Sequence, residues 1–121
     1  MTEKVLLVDD EEEFLEAMSM RLEARGMNVL TASSALEAID RIKKDSFDAV
    51  IIDYQLPGMD GLNALEQMKD ARPESRVILL TGYATVEKRQ EAIEKGAVDL
   101  LEKPVDLFVL SEKIRKSDIT S

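Results

Sequence analysis

The stretch Ala49-Val50-Ile51-Ile52-Asp53-Tyr54-Gln55-Leu56-Pro57-Gly58-Met59-Asp60-Gly61 constrains the fold more than any other part of the chain. An unbroken apolar run of this length, bounded by turn residues, reads as a strand buried on both faces, as in a parallel sheet covered by helices. The run ends on a carboxylate, Asp53, and a Pro-Gly turn follows at once. Open α/β sheets place their ligands outside the C-terminal ends of their strands. Asp53 therefore reads as the reactive group, with the rest of the chain building its pocket.

The pattern recurs along the chain. Val5-Leu6-Leu7-Val8 runs into Asp9-Asp10, and Asn28 to Ala32 forms a second short strand. Asp48 to Ile52 is the third, Val77 to Leu80 the fourth, ending in Thr81-Gly82, and Val98 to Leu101 the fifth, ending in Glu102-Lys103-Pro104. Helical spacing fills the intervals. Phe14, Leu15, Met18 and Leu22 make one stripe, stopped by Gly26. Ser34 and Glu37 form a capping-box pattern before Leu36, Ile39 and Ile42. Leu62, Leu65 and Met68 make a third stripe that ends near Arg72, ahead of Pro73. Thr85 to Lys95 offers only Val86, Ala92 and Ile93 for burial, so it is expected to be the least firmly held helix. Asp106 caps a last helix carrying Leu107, Leu110 and Ile114.

Five strands alternating with five helices predict an α/β, doubly wound parallel sheet, order 2-1-3-4-5. Its 121 residues suit one domain, residues 1–118, with fraying from Lys116 and a tail at 119–121. In that order the first and third strands are neighbours, so Asp9, Asp10 and Asp53 converge on one rim.

The chain has no cysteine and no histidine, which excludes thiol chemistry and the commonest general base and metal ligand. Its formal net charge of −9 argues against direct nucleic-acid binding. No apolar segment is long enough to span a bilayer, and a cytoplasmic protein is expected. Carboxylates about 5 Å apart at an effective dielectric near 20 repel by roughly 3 kcal/mol, so three together must protonate or bind a cation. Hard oxygen ligands select Mg²⁺ over zinc or copper. Lys103 can add a positive charge and Thr81 a hydroxyl donor, a setting suited to phosphoryl transfer onto a carboxylate. Taken singly, each residue has a plainer role: Asp9 or Asp10 as a turn former, Thr81 in turn chemistry, Lys103 as a solvated lysine. Their common position at strand ends favours the site.

With these residues in view, the chain resembles the receiver (response-regulator) domain of bacterial two-component signalling. The resemblance spans Val5 to about Ile114 and rests on Leu6-Leu7-Val8-Asp9-Asp10, Ile51-Ile52-Asp53, Leu56-Pro57-Gly58-Met59-Asp60-Gly61, Leu80-Thr81-Gly82 and Glu102-Lys103-Pro104. It implies a flavodoxin-like fold and a signalling switch, not an enzyme with turnover. It implies that Asp53 accepts a phosphoryl group from a histidine kinase or phosphotransfer protein. It implies that Asp10, Asp53 and the Gln55 carbonyl bind Mg²⁺, with Asp9 acting through water. Thr81 and Lys103 would contact the phosphoryl group, and the Lys103-Pro104 bond would be cis.

One departure stands out. The family often carries Tyr or Phe three residues before the lysine, where Leu100 stands here. The aromatic half of the family's switch is thereby put in question, and the fourth helix is expected to carry the output. Gln55 and Tyr83 hold positions that tune acyl-phosphate hydrolysis in the family, and a bulky Tyr83 implies slow loss of phosphate. Phe108 and Val109 lie off the last helix's stripe and are candidates for a partner or homodimer face formed with the fourth helix and fifth strand. Two rivals remain: a Mg²⁺-dependent phosphatase of the haloacid dehalogenase kind, for which Gln55 withholds the second acid, and a receiver-like module that is never phosphorylated. No output domain is expected within this chain, which leaves a downstream protein target, a relay role, or an output domain in a longer regulator.

Overall fold

In the computed structural model, which describes residues 2–115, five strands form one parallel sheet: β1 (Lys4–Val8), β2 (Asn28–Ala32), β3 (Ala49–Asp53), β6 (Val77–Thr81) and β7 (Asp99–Glu102). Two two-residue strands, β4 (Gln55–Leu56) and β5 (Met59–Asp60), pair antiparallel outside that sheet. The helices are α1 (Glu12–Glu23), α2 (Ala35–Lys44), α3 (Gly61–Ala71), α4 (Val86–Glu94) and α5 (Leu107–Arg115). The sheet order is β2-β1-β3-β6-β7, the doubly wound, flavodoxin-like arrangement read from the sequence. Residues 116–121, where fraying and a tail are expected, lie outside the described residues.

The alternation along each central strand sorts the core into two layers. Leu6, Val8, Val50, Ile52, Val77 and Leu79 pack with α2, α3 and the single buried residue of α4, Ala92. Val5, Leu7, Ile51, Ile78 and Leu80 pack with Leu15, Met18 and Leu22 of α1 and Leu110 and Ile114 of α5. Burial on both faces is why these strands are apolar at every position; each such side chain contributes about 1.5–3 kcal/mol.

Helix ends follow local chemistry. Ser34 accepts the Glu37 N–H at 3.1 Å, but the carboxylate of Glu37 returns to the N–H of Ser33 rather than to that of Ser34. Asp60 accepts the Asn63 N–H at 2.8 Å and starts α3, and Asp106 accepts the N–H groups of Phe108 and Val109 at 2.8 and 3.1 Å to start α5. Gly26, at φ 90°, closes α1 with the Met27 N–H bonded to the Leu22 carbonyl.

Several expectations change. Leu36 is exposed rather than core, because Ala35 and Ala38 flank it on the buried face of α2. β3 and β7 each lie one residue further along the chain than read from the sequence, so Asp53 and Glu102 belong to their strands. Of the three residues expected to bury α4, only Ala92 does so, with Val86 and Ile93 exposed at 77% and 43%. Cations fasten α4 in their stead. Arg89 Nε lies 2.6 Å from Oδ1 of the buried Asp99, and Lys95 Nζ lies 2.7 Å from Glu66. Lys113 of α5 reaches the other Asp99 oxygen at 3.0 Å, so one carboxylate joins α4, β7 and α5.

Burial alone would raise the Asp99 pKa, but Arg89, Lys113 and the Leu100 N–H outweigh it and hold the group below its ordinary value of 3.8. A depressed carboxylate contributes stability above its unfolded pKa and loses it as pH falls through the lower folded value. Asp99→Asn is expected to cost about 1–3 kcal/mol at pH 7. The gap to wild type should close only below about pH 4 in denaturant titrations; an equal gap at pH 3 and pH 7 would exclude the ion pairs as its cause.

Gly61 fits because it has no side chain: a Cβ there would lie 2.7 Å from the Tyr54 Cα and 2.9 Å from its carbonyl oxygen. The Gly61 N–H bonds that same carbonyl at 2.6 Å. Gly61→Ala is expected to lower stability by about 1–3 kcal/mol through backbone displacement. A denaturation midpoint unchanged from wild type would mean that the chain relaxes without cost.

Candidate functional site

The C-terminal rim of the sheet gathers the polar groups singled out in the sequence. β1 ends at Val8 and delivers Asp9 and Asp10; β3 ends on Asp53, β6 on Thr81, and Lys103 follows β7. The register makes Val8 the neighbour of Ile52, Asp53 that of Leu80, and Thr81 that of Glu102. Residues 94 positions apart thus meet: Lys103 Nζ lies 2.9 Å from Asp9 Oδ2 and 3.1 Å from Asp53 Oδ2.

Asp9 and Asp53 use the same device. Asp9 Oδ1 accepts the Glu11 N–H at 2.9 Å, and Asp53 Oδ1 accepts the Gln55 N–H at 3.0 Å. In each, one oxygen builds the turn leaving the strand and the other faces Lys103. The turn-forming and site-forming roles therefore coexist in the same side chains. Asp9 is 1% exposed, and Asp53 is half-buried. Asp10 is exposed, yet an oxygen from each of Asp9, Asp10 and Asp53 lies within 4.8 Å of the other two.

Burial would push the Lys103 ammonium towards its neutral form. The hydrogen bonds to Asp9 and Asp53, with their charges, outweigh this and raise its pKa. The ammonium also sits 4.4 Å from the centre of the Phe14 ring. Three carboxylates against one ammonium leave excess negative charge. Hard oxygen donors, in a chain without histidine or cysteine, fit a small divalent cation such as Mg²⁺.

Gln55 lies in the short β4–β5 hairpin, whose turn places Pro57 before Gly58 at φ 85°, as a type II turn requires. Thr81 is buried, and its hydroxyl makes long bonds to its own loop: it accepts from the Tyr83 N–H at 3.3 Å and donates to the Tyr83 carbonyl at 3.4 Å. Its carbonyl accepts the Lys103 N–H at 2.7 Å, and the Lys103–Pro104 peptide is cis. Leu100 is buried in the core layer with Ala92, away from the rim.

The sequence reading passed over three contributors. Phe14 packs at the edge of the α1 core stripe as expected, and its ring also lies beneath Lys103. Lys88 Nζ bonds the Tyr83 carbonyl at 2.8 Å, and Glu102 Oε1 accepts the Ala84 N–H at 3.0 Å. A lone aromatic, a surface lysine and a surface glutamate carry no spacing signal that would have marked them. Among the described residues, no helix is long and apolar enough to cross a membrane.

Comparison with known proteins places this geometry. The model of the response regulator receiver domain matches residues 5–115. Sporulation initiation phosphotransferase F of Bacillus subtilis is 33% identical over 116 residues, covering 96% of this chain and 94% of that protein. The transcriptional regulatory protein ZraR of Escherichia coli is 33% identical over 93% of this chain, which spans only 26% of it. Among solved structures, a beryllofluoride-activated NtrC4 receiver domain dimer superposes with a TM-score of 0.86 at 37% identity, covering 93% of each chain. A response regulator of Burkholderia pseudomallei with a phosphorylated aspartic acid, calcium ion and citrate gives 0.86 at 28% identity, over 94% of this chain and 67% of its own. The chain belongs to the response regulator receiver domain family.

Proposed function

We propose that this receiver domain is a phosphorylation switch in which Asp53 takes a phosphoryl group from the phosphohistidine of a kinase or phosphotransfer protein. The observation that carries the reading is the shared salt bridge of Lys103 with Asp9 and Asp53, which joins the ends of β1 and β3 to the segment after β7. The Asp53 oxygen that faces Lys103 attacks phosphorus, the P–N bond breaks, and the imidazole nitrogen leaves with the electron pair. Lys103 neutralises charge on the transferring group, and Thr81, released from its long bonds to Tyr83, donates its hydroxyl to a phosphoryl oxygen. Asp10, Asp53 and the Gln55 carbonyl would hold Mg²⁺, with Asp9 acting through water. Bound there, the ion would offset negative charge between carboxylates and phosphoryl oxygens.

Gln55 in place of a second acid favours a stored acyl phosphate over turnover, which separates this reading from a phosphatase. The exposed Tyr83, two residues beyond Thr81, would shield the phosphoryl group and slow its hydrolysis. The output passes through the lightly buried α4 to a downstream protein, or to an output domain where the chain is part of a longer regulator. With a net charge of −9, direct nucleic-acid contact is disfavoured, and the setting is cytoplasmic.

Beryllofluoride with Mg²⁺ is expected to shift the amide resonances of Asp53, Thr81 and residues 85–95, and Asp53→Asn to abolish the response. Wild-type protein that does not respond, or an Asn variant that does, would sink the phosphoacceptor role.

Phe108 and Val109 are 67% and 39% exposed on α5, leaving apolar surface for a homodimer formed with α4 and β7. Mass measurement by light scattering should find Phe108→Glu monomeric under beryllofluoride where wild type dimerises; equal masses would exclude Phe108 from the contact.

A further inference from the structure

The loop from Gly82 to Thr85 joins the pocket to α4, and its fastenings are uneven. On the pocket side, Thr81 holds it through contacts of 3.3 and 3.4 Å, long for hydroxyl bonds. On the helix side, Lys88 Nζ holds the Tyr83 carbonyl at 2.8 Å. The same ammonium lies 5.2 Å from the centre of the Tyr54 ring and 5.4 Å from that of Tyr83, within cation–π range of both. Tyr54 follows Asp53 directly, and Tyr83 lies two residues beyond Thr81. Lys88 stands in the first turn of α4, where its own N–H bonds the Thr85 cap at 3.0 Å. One side chain of α4 therefore touches groups borne by the two strand ends that carry Asp53 and Thr81. Leu100, buried beside Ala92, has no polar atom with which to do the same.

We propose that Lys88 is the positioning residue that couples the Asp53 pocket to α4. Its ammonium keeps the loop and the first turn of α4 in the arrangement seen here. When Thr81 turns towards a phosphoryl group, Tyr83 N–H loses its acceptor, the Tyr83 carbonyl shifts, and Lys88 lets go. The first turn of α4, none of whose residues is buried, is then free to move. The proposal rests on the phosphoacceptor reading of Asp53 and adds the route by which its state leaves the pocket.

Lys88→Met keeps the aliphatic stem and helix propensity while removing the ammonium. In the free variant, amide resonances of residues 85–95 are expected to lie displaced towards the beryllofluoride-bound wild-type positions. That displacement should correspond to about a fivefold change in the ratio of the two arrangements. Lys88→Arg, which restores a cation and a donor, should return the wild-type spectrum, and both variants should still take up beryllofluoride at Asp53. A Lys88→Met spectrum matching wild type, free and bound, would overturn the coupling while leaving the phosphoacceptor reading intact. A Lys88→Arg variant behaving like Lys88→Met would also overturn it, because a general helix effect would then explain the change. Wild-type protein that ignores beryllofluoride would instead defeat the parent reading.

Discussion

The Lys103 ammonium holds the rim together because Asp9 could not otherwise be buried there. A carboxylate that is 1% exposed needs a partner, and removing one member of such a pair typically costs several kcal/mol. Lys103 meets that need while bonding Asp53 at nearly equal distance, 3.1 against 2.9 Å. The first strand, the third strand and the segment after the last strand are joined at their C-terminal ends by one charge. Phe14 closes the underside of the ammonium and keeps it oriented towards the two acids.

The sheet makes this junction possible without local contrivance. Parallel register brings the ends of β1, β3, β6 and β7 to one edge, so residues at or just beyond each strand end are enough to compose a pocket. Turns at Asp9 and Asp53 are built by the same side chains that face Lys103, through bonds to the N–H two residues on. The fold and the chemistry thus share atoms: the oxygens that shape the backbone fix where the remaining oxygens point.

Much of this was legible because it is carried by pattern. Apolar runs ending in Asp, Thr-Gly and Lys-Pro gave the strands, their order and the residues that converge. What escaped was carried by geometry that leaves no pattern. Leu36 fits the helical stripe in the sequence, but the smaller Ala35 and Ala38 let α2 approach the sheet on a face rotated away from it. Val86 and Ile93 look like anchors until the ion pairs of Arg89 and Lys95 supply another means of docking α4. The β4–β5 hairpin is too short to show as alternation, although its Pro57-Gly58 turn was visible. Lys88 and Glu102 read as solvated charges, and only the loop conformation gives them partners.

The approach of Gly61 to Tyr54 has a mechanical consequence. With backbone against backbone and a 2.6 Å bond between them, the wall formed by β3, its hairpin and the start of α3 behaves as a stiff abutment. On the opposite wall the Thr81 hydroxyl makes longer contacts, 3.3 and 3.4 Å to Tyr83. A new attraction between the two walls is therefore met first by the Thr81 hydroxyl, whose bonds are the easiest to exchange. The two walls thus differ in which group yields first, a side-chain hydroxyl on one and a backbone-to-backbone contact on the other.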